Sequence, residues 1–314
     1  MSRISRVMRV LLALLAAWAS MDLCLVSTSN VLLIGNPGTG KSTILNGLIG
    51  KPAFRSGVSY GSGLTYQFDK VEEGGIRYMD TPGLSDVTMR QKAADAITEA
   101  LKQEGTYKIF FVVVLQNGRV RAEDIATMSS VLKAAPINGT DYGLITNQLP
   151  PREFKDLQSL PDVAQEVLGS IWCTMPEKAT PHVHFLPRDD ELEGADDVVK
   201  PLPKDCVDFI DMTPGVEIKG EEVKQVQADG YEEQVTQLEQ KLSDLLRDKE
   251  AMQAQMREAF KGREKETAKA MSKMLGIQRD IFLNMFKAAQ PAQRMPDLVK
   301  DVALVSLAFK FFAH

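Results

Sequence analysis

Nine residues narrow the folds open to this chain more than any other feature. Gly35 to Thr43 reads GNPGTGKST, with NVLLI before it and ILNGLIG after it. The pattern is G-x-x-x-x-G-K-[ST], carried by Gly35, Gly40, Lys41 and Ser42. Glycines let the backbone turn tightly enough to aim several N–H groups at one phosphate. Lys41 is spaced to reach the terminal phosphates, and the Ser42 hydroxyl to ligate Mg²⁺. Val31 to Ile34 is a short apolar run of the kind a buried parallel strand requires. Ile44, Leu45, Leu48 and Ile49 fall at helical spacing, so a helix starting near Lys41 turns its positive end to the loop. An ordinary glycine-rich turn lacks this strand-then-helix setting. Asn36, Pro37, Gly38, Thr39, Gly40, Lys41, Ser42 and Thr43 are the candidate phosphate cradle.

A phosphate loop alone does not separate the nucleotide-using classes, and the next motifs narrow them. Ile76 to Met79 reads as a strand that runs into Asp80-Thr81-Pro82-Gly83, a D-x-x-G. An aspartate at a strand end can hold Mg²⁺ through water, and the Gly83 N–H can meet a third phosphate. Loss of that phosphate releases the segment, which is how switch loops work. Between the two motifs lies the glycine-rich stretch Gly57 to Thr65, GVSYGSGLT. Thr65 is the expected additional Mg²⁺ ligand there, with Ser62 as the alternative. Ser42, Thr65 and Asp80 are thus the expected metal set.

The surrounding pattern implies an α/β architecture. From 29 to about 190, apolar strand-like runs alternate with helical ones, which builds βαβ units and a mostly parallel sheet. Lys108 to Leu115 (KIFFVVVL) is the most apolar strand, Tyr142 to Thr146 another, and His182 to Leu186 a weaker one. Thr88 to Lys102 and Ala122 to Ala134 read as helices. Asp156 to Trp172 reads as a helix broken at Pro161. The stretch 191–220, acidic and proline-containing, reads as a linker or ragged domain edge. From 221 to 290 the chain is rich in helix formers. Tyr231, Val235, Leu238, Leu242, Leu245, Lys249, Met252, Met256 and Ala259 alternate steps of four and three, a heptad seam with one polar interruption. A coiled coil and a single helix folded back on the nucleotide domain both fit it.

Composition bounds the rest. The net charge of −5 argues against general nucleic-acid binding, which needs a basic excess. Three scattered cysteines, Cys24, Cys173 and Cys206, suggest neither a disulfide framework nor a zinc site. Residues 1–28 open with Arg3, Arg6 and Arg9 before an apolar run, the layout of a secretory signal. A membrane-lying helix, a targeting peptide and a mis-assigned start fit the same residues. The tail 291–314 is apolar and fits either a membrane surface or the chain's own helices.

The motifs GNPGTGKST, GLT, DTPGLSD and VVVLQNGRVRAED together resemble the AIG-type GTPases, the immunity-associated group. They are also similar to the chloroplast Toc GTPases and more distantly to septins. The resemblance covers about residues 29 to 150. It implies a Ras-like P-loop NTPase fold followed by a long C-terminal helical extension. It also implies GTP with Mg²⁺, self-association into a homodimer or homo-oligomer, and work in the cytoplasm, often at membranes. Gly118 to Asp124 matches the box that follows the third strand of that family. The expectation is a switch that binds GTP, hydrolyses it slowly to GDP and responds to self-association. Thr65, Gly83 and Arg119 are its catalytic candidates.

Two departures open a second reading. The guanine-reading N-K-x-D appears here as Asn147-Gln148-Leu149-Pro150. Asn147 is the expected base contact, but Pro150 stands where the aspartate belongs. A site without that buried partner discriminates poorly. The residue after D-x-x-G, a water-orienting glutamine in Ras-like enzymes, is Leu84. Arg90, Gln91 and, across a dimer, Arg119 are the available substitutes. The alternative is a nucleotide-stabilised scaffold without significant hydrolysis.

Overall fold

A computed structural model describes residues 29–57, 64–65, 67–175, 178–192, 196–259 and 273. The readings for residues 1–28, Ser62, the helical run past 261 and the tail 291–314 lie outside the described residues.

The elements in chain order are β1 (Ser29–Ile34), α1 (Lys41–Ile49), β2 (Asp69–Glu73), β3 (Ile76–Asp80), α2 (Arg90–Leu101), β4 (Thr106–Val114) and α3 (Ala122–Ala134). There follow β5 (Tyr142–Leu149), α4 (Pro151–Ser159), α5 (Pro161–Trp172), β6 (Val183–Pro187), α6 (Lys204–Met212), β7 (Val216–Glu217) and α7 (Tyr231–Ala259). The strands form one sheet in the order β2-β3-β1-β4-β5-β6, with β7 added to the start of β4. β3, β1, β4, β5 and β6 run parallel. β2 and β7 pair antiparallel. This is an α/β domain with a mostly parallel sheet flanked by helices, followed by a long C-terminal helix.

The central strands β1 and β4 carry continuous apolar runs, 31–34 and 109–114, because both faces of the sheet are covered there. Leu32, Ile34, Ile109, Phe111 and Val113 join one core under α2, α3 and the start of α7. Val31, Leu33, Phe110 and Val112 join the other, under α1 and α6. Alternate residues thus face opposite helical layers, as the two-residue period of a strand demands.

Four places differ from the sequence reading, each for a local reason. β2 (DKVEE) carries almost no apolar residue, because it is an exposed edge strand with charged side chains that block further pairing. β5 continues past Thr146 to Leu149, carrying Asn147 on the strand itself. The helix read over 156–172 is broken at Pro161 as expected, but its first part begins earlier, at Pro151, so that each of the two helices starts on a proline. Proline suits a first helical turn, where its missing N–H has no partner to lose. The stretch read as a linker, 191–220, contains α6 and β7. Cys206 and Ile210 of α6 are buried, and Phe209 meets Phe110 with ring centroids 5.7 Å apart.

The heptad seam divides along α7. Tyr231 and Val235 are buried against the main core, and Leu238 and Leu242 pack on it. Leu245 and Met252 are 37% and 49% exposed. The polar interruption Lys249 meets Glu166 of α5 at 2.5 Å. The first half of the helix therefore folds back on the domain, and the second half leaves Leu245 and Met252 partly exposed while Lys249 still touches α5. No helix among the described residues is long and apolar enough to cross a membrane.

Candidate functional site

The site lies at the C-terminal ends of the parallel strands, where open α/β sheets bind ligands. β1 delivers the loop 35–40, β3 delivers Asp80, and β5 delivers Asn147. Gly40 caps α1 at φ +86°, a left-handed conformation that favours glycine. A Cβ there would stand 2.4 Å from Asn147 Nδ2, so the position admits no side chain.

The three expected metal ligands meet at one atom. Ser42 Oγ donates to Asp80 Oδ2 at 2.6 Å, and Thr65 Oγ1 donates to the same oxygen at 3.1 Å. The Thr81 N–H donates to Asp80 Oδ1 at 3.1 Å. Asp80 is buried, and burial pushes its carboxyl above the usual range, opposed by Lys41 and these hydrogen bonds. Lys41 is also buried, and desolvation lowers its pKa against the pull of Asp80 and Asp124. Its Nζ donates to the Asn36 carbonyl at 3.2 Å. Both charges are thus held at a desolvation cost. A divalent cation and a phosphate are groups that would offset it.

The D-x-x-G segment lies directly on the phosphate loop. A Cβ on Gly83 would fall 2.3 Å from Pro37 Cδ and 2.7 Å from Asn36 Cα. Leu84, in place of a glutamine, is fully buried and offers nothing to a water. Arg90 Nε donates to the Leu84 carbonyl at 2.9 Å, and its guanidinium also pairs with Glu232. Gln91 donates to Asp95 on its own helix at 3.0 Å. These two are committed elsewhere. Arg119 is exposed at the end of a tight turn closed by Gln116 and Arg119.

At the base end, Asn147 Nδ2 donates to the Thr39 carbonyl at 2.8 Å. Gln148, at φ +57°, donates through Nε2 to the Gly38 carbonyl at 2.8 Å. Both amides tie β5 to the phosphate loop, a bracing role that sequence reasoning did not foresee for Gln148. Pro150 is exposed and caps α4.

Sequence reasoning also missed the groups behind the loop. Asn36 Nδ2 donates to Asp124 Oδ1 at 2.8 Å. Asn36 Oδ1 accepts from the Ser85 N–H at 3.2 Å and from Thr127 Oγ1 at 2.9 Å. Arg121 holds Asp124 with two hydrogen bonds of 2.9 and 3.1 Å. Burial raises the Asp124 pKa, with Arg121 and Asn36 opposing. Asp124 did fall within the matched box, but nothing in its spacing shows that it turns inward.

Part of the chain is similar to known proteins. Residues 29–135 match the model of the AIG1 family. Immune-associated nucleotide-binding protein 4 of Arabidopsis thaliana is 30% identical over 125 residues, covering 35% of this chain and 37% of that one. GTPase Der of Staphylococcus aureus is 29% identical over 117 residues, covering 34% of this chain and 25% of that one. The match thus spans about a third or less of these relatives' length. Among solved structures, Toc33 from Arabidopsis thaliana in complex with GDP and Mg²⁺ is 19% identical, at a TM-score of 0.41 over 67% of this chain and 94% of that one. Era in complex with MgGDPNP and ribosomal RNA is 18% identical, at a TM-score of 0.36 over 51% of each chain.

Proposed function

We propose that this AIG-type G domain is a GTP-binding switch that hydrolyses GTP slowly and is stimulated by self-association. The observation that carries it is the convergence of Ser42 and Thr65 on Asp80 Oδ2, beside a buried Lys41. An Mg²⁺ held by these oxygens would supply positive charge to the phosphates and keep Asp80 ionised. Asn36 to Thr43 would hold the phosphates through backbone N–H groups, with Lys41 on the terminal ones. Thr65 and Gly83 would sense the third phosphate, each through a segment free to leave when it is lost. Asn147 would face the base from the end of β5. The AIG1 match and the GTPase relative support guanine as that base. The buried Leu84 means that hydrolysis would need a group from elsewhere, and the exposed Arg119 of a second copy is our candidate for it.

Fluorescent GTP and ATP analogues with Mg²⁺ test this, with Lys41→Ala as control. Tight GTP binding, weak ATP binding and loss of both in the variant are expected. Equal binding of the two analogues, or of neither, would overturn the switch reading.

A second reading is a nucleotide-stabilised scaffold, in which nucleotide stiffens the domain and α7 recruits partners. The burial of Leu84 and the proline at 150 favour it. Turnover per molecule that rises with protein concentration supports the first reading. Binding without turnover supports the second.

A further inference from the structure

Behind the phosphate loop, two separate holds on one short segment end on the same side chain. The segment is Leu84-Ser85, which directly follows Gly83. The Ser85 N–H is held by Asn36 Oδ1 at 3.2 Å, and the Leu84 carbonyl by Arg90 Nε at 2.9 Å. Asn36 Oδ1 also accepts from Thr127 Oγ1, which lies 3.0 Å from the Tyr231 hydroxyl. The Arg90 guanidinium carbon stands 4.6 Å from the centre of the Tyr231 ring. Tyr231 is the first residue of α7 and is 2% exposed. Its hydroxyl also reaches the Glu123 carbonyl at 2.8 Å.

We propose that Asn36 and Tyr231 are positioning residues for recognition of the third phosphate. Asn36 sets the backbone next to Gly83, and Tyr231 backs both anchors of that backbone from the C-terminal helix. The proposal rests on the reading of this site as a nucleotide switch.

The physical argument is one of differential binding. A group that meets only the third phosphate contributes to GTP affinity and not to GDP affinity. The phosphate loop itself, through its backbone N–H groups, serves both nucleotides. Loosening the segment after Gly83 therefore costs selectively in the triphosphate state. A tyrosine that merely docked α7 on the domain would change stability and leave the two affinities in their original ratio.

The test measures dissociation constants of GDP and a non-hydrolysable GTP analogue with Mg²⁺, on the full chain. Thr127→Val removes the hydroxyl that donates to Asn36 Oδ1 and leaves the phosphate cradle itself unaltered. It is expected to lower the preference for the analogue roughly fivefold, with GDP affinity within about twofold, the scale of one buried hydrogen-bonded group. Tyr231→Phe keeps the ring over Arg90 and loses only the hydroxyl, so a smaller loss, about threefold, is expected. Leu238→Ala, on the same helix but outside the chain of contacts, is expected to lower Tm and leave the ratio unchanged. Asn36→Ala, within the cradle itself, is expected to weaken both nucleotides, the analogue more than GDP. A wild type that prefers the analogue, with Thr127→Val and Tyr231→Phe keeping that preference, overturns this inference alone. A wild type that binds both nucleotides equally overturns it too. A wild type that binds neither overturns the proposed function and this inference with it.

Discussion

Three buried charges set the chemistry at the residue scale: Lys41, Asp80 and Asp124. The sequence placed the first two, because the loop pattern and the D-x-x-G fix both residue type and spacing. It could not place Asp124, since an acidic residue in a first helical turn is ordinarily explained by the helix dipole alone. Its burial appears only once α3 packs against the loop. That burial gives a pH signature. The folded chain holds the Asp124 proton more tightly than the unfolded chain, so stability falls as pH rises from the unfolded carboxylate value through the raised one. Asp124→Asn does not titrate. The wild type's advantage in Tm over this variant should therefore shrink as pH rises above the unfolded carboxylate value of about 4. A constant or widening gap in thermal melts above that value would contradict the assigned direction. Gly83 gives a second outcome at this scale. With its Cβ only 2.3 Å from Pro37 Cδ, Gly83→Ala must lift the segment off the loop. Affinity for a GTP analogue should fall by roughly tenfold or more, and GDP affinity should hold. Titration calorimetry with both ligands decides it, and equal losses would place the clash in the loop instead.

Element by element, legibility followed burial. β1 and β4 stand out in the sequence as unbroken apolar runs, and α3 because apolar residues recur at helical spacing. β2 and β7 do not, one because it is a charged edge and the other because it is two residues long. The stretch 191–220 misled for a different reason. Its prolines and acidic residues are linker composition, yet they bracket α6, whose inner face fills the second core. Lys108 Nζ fixes the end of that helix by donating to the Ile210 carbonyl at 3.2 Å and the Asp211 carbonyl at 2.5 Å. Ile210 is 2% exposed among Phe110, Val112 and Cys206. Ile210→Ala should thus cost about 2–5 kcal/mol, the range of a large-to-small change in a packed core. A linker residue would cost within about 0.5 kcal/mol. Urea denaturation separates the two, provided that the m-value is unchanged.

At the scale of the whole molecule, α7 starts behind the phosphate loop, where Tyr231 meets Thr127 and Arg90, and runs outward from it. Its seam changes role midway. Tyr231, Val235, Leu238 and Leu242 are used within the chain, while Leu245 and Met252 continue the same heptad positions into solvent. An apolar seam spaced by sevens and left open fits a second helix of the same kind. In the switch reading that second helix belongs to another copy of this chain, which would also bring a second Arg119 near a site lacking its own water-orienting group. The two halves of the seam should then respond oppositely to charge. Leu245→Glu with Met252→Glu should cost the monomer no more than about 1 kcal/mol, since Leu245 and Met252 are only partly buried, at 37% and 49% exposure. The same pair should shift sedimentation equilibrium toward monomer and flatten the dependence of turnover on protein concentration. Val235→Glu should instead destabilise the domain by about 3 kcal/mol or more, because it places a charge in the main core. If the double variant lowers Tm and leaves the mass unchanged, the outer seam docks on its own domain and self-association must be built elsewhere.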